Sequence, residues 1–360
     1  METLGAEFQF RNKITVAILG ATGSVGQRFV QLLSDHPWFE IVAVAASDRS
    51  SGKLYGDVVK WQLSTPLPKA VASLTIRECK PPMTANVIFS ALDSSVATEI
   101  ESFFANTGNI VISNAKNYRT QWDVPLLVPE VNSDHLDLLS LQKFTKGKIV
   151  TNPNCSAIGL VTALKPLDDL FGIEAVNVVT MQAISGAGYP GVASMDIMDN
   201  VIPFIDDEEN KLETEPLKIL GKLVKGSSDG IINADIKISA QCNRVPVSDG
   251  HTECVSIKLR NKPTKDELIN AWRSFVGEPQ LLGLPSAPEF PIHYFDHENL
   301  PQPKLQRNID KGMAVSLGRL RDCPLMDYKF VLLSHNTIKG GAGGAILCAE
   351  LMVRKGYVFW

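Results

Sequence analysis

One feature near the start constrains the fold more than any other. An apolar run, Lys13 to Gly20 (KITVAILG), passes into a glycine-rich turn, GATGSVG, and then into a helical pattern that puts Val25, Phe29, Leu32 and Leu33 on one face. A continuous apolar run suits a parallel strand buried on both sides. Strand, glycine turn and helix together open a βαβ unit. Its partner strand is expected at Ile41 to Ala46, with further strands at Val87 to Ala91 and Ile110 to Ser113. A helix carrying Val96, Ile100, Phe103 and Phe104 falls between those last two. Such alternation predicts an α/β chain with a Rossmann-type, doubly wound parallel sheet.

Beyond about residue 150 the pattern changes. Ala175 to Ser185, Ile236 to Val247 and Glu253 to Arg260 read as longer strands, suited to a mostly antiparallel sheet in an α+β second domain. A helix is expected at Lys265 to Val276, opened by a capping box of Thr264 and Glu267 and burying Leu268, Trp272 and Phe275. The acidic stretch Asp206 to Glu215 and the proline-rich stretch Leu281 to Pro303 read as surface excursions. Glycines at 340–344 precede a helix able to pack back on the first domain.

Length supports two domains, because 360 residues is long for one core. With 44% hydrophobic and 21% charged residues, the balance is that of an ordinary globular protein. The net charge of −4 and the scattered basic residues leave no footprint for nucleic acid. No run of about 18 apolar residues exists to span a membrane. The segment Met1 to Asn12 lacks an apolar core and contains Glu2 and Glu7, so no export signal is expected. Cys79, Cys155, Cys242, Cys254, Cys323 and Cys348 match no disulfide or CxxC pattern, which points to a reducing, cytoplasmic setting.

In GATGSVG the glycines are Gly20, Gly23 and Gly26. Glycine permits a sharp turn and lets a pyrophosphate approach the amides of a helix N-terminus. Thr22, Ser24 and Val25 would supply the nearest amides and hydroxyls. A tight turn without a ligand is the bland alternative, but the position after the first strand of an α/β chain favours a dinucleotide. Asp48 stands where an acid would bind the 2′-hydroxyl of NAD. The neighbouring Ser47, Arg49, Ser50 and Lys53 form a donor-rich nest better suited to the 2′-phosphate of NADP, the cofactor we expect.

Asn152-Pro153-Asn154-Cys155-Ser156 ends an apolar strand and begins a helix. A cysteine there meets unpaired amides and a positive dipole, which favour thiolate and could stabilise an oxyanion. The other five cysteines read as packing residues. Covalent chemistry on Cys155 needs a proton shuttle. Of the six histidines His251, just after Asp249-Gly250 at the start of a strand, is best placed to take the cysteine's proton. Arg244 offers a fork suited to a carboxylate. The spacing of Cys242, His251 and Cys254 matches no zinc template, so no metal is expected.

Taken in order, GATGSVGQ, SNAKNYR (113–119), PNCSAIGL around Cys155, QAISGAGYPG from Gln182, CNRVPVSDGH ending at His251, and NTIKGGAGG resemble the aspartate-semialdehyde dehydrogenase family over nearly the whole chain. The resemblance implies a cysteine nucleophile at Cys155, acid–base chemistry at His251, and Gln182 orienting the acyl intermediate. It implies that Arg244 grips the substrate α-carboxylate and Arg119 the phosphate. Glu208 and Lys211 match the pair contacting substrate amine and phosphate, with Glu209 leaving the register open by one, and Asn154 joins the substrate contacts. Thr22 to Val25, Ser47, Ser50, Ser94, Gly186, Ala187 and Gly188 correspond to cofactor contacts, and Asn336 falls near the nicotinamide.

The implied reaction is NADPH-dependent conversion of L-aspartyl-4-phosphate to L-aspartate 4-semialdehyde and phosphate through a cysteine thioester. Its product feeds lysine, methionine, threonine and isoleucine synthesis. The domains are then expected as 1–154, binding the dinucleotide and completed by a helix at 338–360, and 155–337, for catalysis and assembly into a homodimer or homotetramer. Rival readings are a malonyl-CoA or N-acetylglutamyl phosphate reductase of the same fold, a non-catalytic NADP-sensing protein, and a thiol hydrolase or acyltransferase. The acidic residues at 208 and 209 favour a substrate with an amine. The last rival leaves the glycine turn unexplained.

Overall fold

The computed structural model describes residues 12–224 and 230–358. The export-signal expectation for the first eleven residues, and the end of the expected 338–360 helix, lie outside the described residues.

Six strands, β1 (Ile14–Leu19), β2 (Phe39–Ala46), β3 (Arg77–Glu78), β4 (Val87–Ser90), β5 (Ile110–Ser113) and β6 (Lys148–Thr151), form a wholly parallel sheet in the order β3-β2-β1-β4-β5-β6. This is the doubly wound order, whose direction reverses between β1 and β4 and opens a ligand crevice at their carboxyl ends. All of β4 is buried, as its unbroken apolar run requires. Helix α1 (Ser24–Leu33) packs Phe29, Val30 and Leu33 inward.

Helix α2 (Ser94–Thr107) departs from the expected face. Ala97, Glu101, Phe104 and Ala105 are buried, whereas Val96 and Phe103 are 46% and 54% exposed. Those two apolar side chains turn to the crevice instead of the core.

The second sheet orders β10 (Lys237–Arg244), β7 (Ile173–Gln182), β11 (His251–Leu259), β14 (Tyr328–Ser334), β13 (Val315–Asp322) and β12 (Ile292–Phe295). Its central pairings are antiparallel and the two edge pairings parallel. A short ribbon, β8 (Lys222–Leu223) with β9 (Ile231–Ile232), stands apart. Helix α3 (Cys155–Phe171) follows β6 and is buried on nearly every side: Leu160, Leu164 and Leu167 meet the second-sheet core, while Ile158 and Val161 meet Leu126 and Val128.

Two presumed surface excursions are structural. Residues 208–219 form helix α4 (Glu208–Ile219), which buries Leu212 and Ile219 and covers the open edge of β10. Glu209 accepts from the Cys242 amide (3.0 Å) and Glu213 from the Ala240 amide (2.9 Å), so the acidic run satisfies edge-strand donors. Residues 281–303 include β12, with Ile292 in the core and Tyr294 stacked on Trp272. Prolines 285, 288 and 291 precede this edge strand rather than interrupt it, which a composition-based reading takes for loop. Helix α5 (Lys265–Ser274) starts with the expected Thr264/Glu267 capping box. Helix α6 (Gly343–Arg354) packs Ala345 to Val353 into the core of the first sheet.

Candidate active site

The connection from β6 to α3 puts Cys155 at the junction of the two sheets. Asn154 caps α3: its Oδ1 accepts from the amides of Ser156 (2.9 Å) and Ala157 (3.2 Å). Asn154 thus holds two first-turn amides, and the Ser156 N–H also reaches the Cys155 sulfur and favours its thiolate. Gly340 lies against the cysteine so closely that a Cβ there would come within 2.8 Å of the Cys155 Cβ.

His251, fully buried at the start of β11, brings Nε2 to 3.2 Å from the Cys155 Sγ. Its Nδ1 accepts the Ala183 amide at 3.0 Å. That bond leaves the ring proton of the neutral imidazole on Nε2, facing the sulfur. Burial, with the nearby Arg244 and His335 charges, drives the imidazole down to about 3. Burial, reinforced by Glu208 and opposed by Arg119, Arg244 and the Ser156 amide, pushes the Cys155 thiol up to about 12. The site at rest thus holds a neutral thiol beside a neutral ring.

Glu208 gathers the polar wall. Its carboxylate accepts from Asn154 Nδ2 (3.0 and 2.9 Å), Gln182 Nε2 (3.2 Å) and Lys211 Nζ (3.0 Å). Arg244, at the end of β10, donates through Nη1 to the Ala183 carbonyl (2.8 Å). The 184–188 turn closes over it: a Cβ on Gly186 would stand 2.8 Å from Arg244 Nη1 and 3.2 Å from His251 Cε1. Asn336 accepts the Gly250 amide (2.9 Å) and donates to Ser185 Oγ (2.9 Å), bracing both turns. Arg119 is paired with Glu215 at 2.8 Å.

Beside this cluster a cavity of about 950 Å³ runs along the carboxyl ends of β1 and β4, lined by Gly20, Thr22, Gly23, Ser47, Asp48 and Phe103 among others. Gly20, at φ +72°, lies so near β4's end that a Cβ would fall 2.4 Å from the Ala91 carbonyl oxygen. Helix α1 begins at Gly23 with no side-chain cap. Its first amides are free for an anion. A second cavity of about 640 Å³ continues past Ser24 to Ser185, Gly188 and His335. Among the described residues, no group of three or more His, Cys, Asp or Glu side chains is arranged to hold a metal ion.

Comparison with known proteins agrees with this geometry. Residues 15–139 match the semialdehyde dehydrogenase NAD binding domain, and residues 164–339 the semialdehyde dehydrogenase dimerisation domain. An aspartate-semialdehyde dehydrogenase of Schizosaccharomyces pombe is 50% identical over 351 residues, covering 95% of this chain and 98% of its own. One from Trichophyton rubrum is 49% identical, covering 96% and 99%. The chain belongs to the aspartate-semialdehyde dehydrogenase family. The crystal structure of the Candida albicans aspartate-semialdehyde dehydrogenase with NADP superposes with a TM-score of 0.89 at 44% identity, covering 96% of this chain and all of that one. This chain is accordingly an enzyme, a dehydrogenase with a Rossmann-type dinucleotide domain.

Of the residues singled out from the sequence as an aspartate-semialdehyde dehydrogenase set, the structure brings together Cys155, His251, Gln182, Asn154, Arg244, Glu208 and Lys211, with Arg119 alongside. It turns Glu209 away, onto β10. Gly20, Thr22, Gly23 and Ser47 line the larger cavity, and Ser24 and Gly188 the smaller. Val25, Arg49, Ser50, Ser94, Gly186, Ala187 and Asn336 lie outside both linings, and the Ser94 carbonyl accepts from Asn117. Glu215 and Lys218 were missed. The spacing 208, 211, 215, 218 marks one helix face and is the signal that could have found them.

Glu208 supplies a prediction. Its charge is one cause of the raised thiol, so Glu208→Gln should lower the pH at which Cys155 ionises. Alkylation by iodoacetamide at pH 7.5 should then quicken roughly three- to tenfold, while turnover falls. An unchanged or slower alkylation rate would refute this electrostatic coupling.

Proposed function

We propose that this enzyme converts L-aspartyl-4-phosphate, NADPH and a proton to L-aspartate 4-semialdehyde, phosphate and NADP, through a thioester on Cys155. The observation that carries the proposal is the 3.2 Å approach of His251 Nε2 to Cys155 Sγ within a wall formed by Arg244, Glu208 and Lys211. Arg244 keeps N–H groups beyond the one it gives Ala183, enough to grip an α-carboxylate. Glu208 takes the substrate ammonium, and Arg119 with Lys211 the phosphate.

Pairing Glu208 with an ammonium removes a negative charge that raises the thiol, so substrate binding itself favours ionisation of Cys155. The sulfur bonds to the acyl carbon, the C–O bond to phosphate breaks, and the thiol proton leaves with the departing phosphate. The bare N-terminus of α1 fits a pyrophosphate, with Gly186, Gly188 and Asn336 flanking the nicotinamide end. NADPH, when bound, supplies the hydride that reduces the thioester. His251 Nε2–H stabilises the resulting alkoxide by hydrogen bonding, collapse of that alkoxide frees the aldehyde and returns the sulfur as thiolate, and a proton from solvent restores the resting thiol. Gln182, buried and bonded to Glu208, orients the acyl group.

In this reading residues 1–154 with 338–360 bind the dinucleotide, and residues 155–337 carry the catalytic groups and assemble as a homodimer or homotetramer. The enzyme works in the cytoplasm and supplies lysine, methionine, threonine and isoleucine synthesis. No described helix is long and apolar enough to cross a membrane.

The test follows NADP reduction by absorbance with L-aspartate semialdehyde, with and without phosphate. Phosphate-dependent reduction is expected. Turnover only with coenzyme A and malonate semialdehyde would replace the proposal with a thioester reductase. NADP binding without turnover on either substrate would replace it with a cofactor-sensing role.

A further inference from the structure

We infer that Glu215, on α4, is a positioning residue that sets Arg119 for phosphate and ties that arginine to the backbone that presents Cys155. The inference rests on the activity proposed above and adds a residue to it. Glu215 is only 5% exposed and divides its carboxylate between two partners. Oε1 accepts from Arg119 Nη1 at 2.8 Å, and Oε2 accepts from the Asn154 amide at 2.6 Å. Asn154 is both the residue before the nucleophile and the cap of its helix. One carboxylate therefore spans the phosphate-binding arginine and the start of α3.

The rest of Arg119 is equally constrained. Nη2 donates to the Asn114 carbonyl at 2.8 Å. Asn114 in turn accepts at Oδ1 from Asn152 Nδ2 (2.9 Å), so this contact also returns to the segment before Cys155. Lys218, one turn beyond Glu215 on the same helix face, donates to the carbonyls of Arg119 (2.8 Å), Gln121 (2.6 Å) and Val124 (2.8 Å) and holds the 119–124 loop against α4. Arg119 is 8% exposed, and among the described residues its Nε finds no hydrogen-bond partner. A buried guanidinium N–H without a partner is costly to leave unmet.

The function follows from this geometry. In the oxidative direction a phosphate oxygen bonds to the acyl carbon, the C–S bond breaks, and sulfur leaves as thiolate. The phosphate must therefore stand at a fixed distance from Cys155. Glu215 fixes that distance, because its two bonds lock the arginine and the cysteine's helix to one carboxylate. Glu208, from the same helix, faces the other end of the substrate. Helix α4 thus sets the spacing between both substrate ends and the sulfur.

The experiment compares Glu215→Gln with wild type in the oxidative direction. An amide cannot accept from both partners, and its NH₂ confronts a donor on one side. The phosphate KM should rise roughly 10- to 100-fold, the loss expected for a charge-assisted bond. The semialdehyde KM, and the phosphate-free burst of one NADPH per site, should stay within about twofold. Glu215→Asp, whose shorter carboxylate reaches one partner only, should fall between. It carries the same comparison should the glutamine variant lose NADP binding. A phosphate KM that does not move, or one that rises by the same factor as the semialdehyde KM, overturns the positioning role. Wild-type enzyme without phosphate-dependent turnover overturns the proposed activity instead.

Discussion

Replacing Cys155 by alanine is expected to reduce turnover by at least about 10⁴-fold while leaving NADP affinity within about twofold. Among the described residues of the cluster, the sulfur is the group whose acyl derivative, a thioester, stays reactive toward hydride and phosphate. Gln182, Glu208 and Arg244 are committed to one another or to backbone, and His251 faces the sulfur with a proton already on Nε2. The dinucleotide crevice is built on Gly20, Thr22 and Gly23, none of which the substitution touches. Alanine also suits the first position of α3, so the helix should persist. Initial rates with semialdehyde and phosphate, read beside a fluorescence titration with NADP, separate the two effects. Wild-type-like rates in the variant would remove Cys155 from the mechanism, and loss of NADP binding would point to collapse of the fold.

Substituting Lys339 by methionine should cost about 3–5 kcal/mol of stability. Lys339 and Glu130 form an ion pair in which the side chains are 1% and 0% exposed. Lys339 meets Oε1 of Glu130, and Oε2 has no hydrogen-bond partner among the described residues. Methionine matches the aliphatic stem of lysine but strands a buried carboxylate, and that isolated charge is the expensive outcome. Adding Glu130→Gln to the same variant removes the charge and should restore much of the loss. The pair also bears on catalysis, because Lys339 belongs to the 338–342 turn whose next residue, Gly340, rests on Cys155. Denaturant unfolding followed by circular dichroism gives the free energies. A loss under about 1 kcal/mol, or no recovery in the double variant, would show that the pair is not held as a buried charge.

Much of the architecture was legible before any coordinates. A parallel strand buried on both faces must be apolar throughout, and KITVAILG is. The turn into α1 needs glycine where Gly20 meets the Ala91 carbonyl and where Gly26 packs on Gly20. The Thr264/Glu267 capping box lies within one helical turn, so neighbouring residues suffice to show it. The candidate nucleophile was equally visible, because a strand ending and a helix beginning around Cys155 are both local patterns.

Tertiary structure alone decided the rest. Glu208 and Glu209 are adjacent in sequence, and only the packing of α4 against β10 sends one to the active site and the other to the edge strand. The direction of the His251 proton depends on the Ala183 amide, 68 residues away. The role of Glu215 depends on Arg119 and Asn154, 96 and 61 residues away. Strand β12 looked like loop because its stability comes from pairing with β13 and from Trp272, not from its own composition. Periodicity, caps and turns express forces acting across a few residues, so the sequence by itself determined most of the first-domain elements and marked Cys155 as the candidate nucleophile. Hydrogen-bond partners and desolvation are set by residues far along the chain, so only the folded structure decided which charged groups face Cys155.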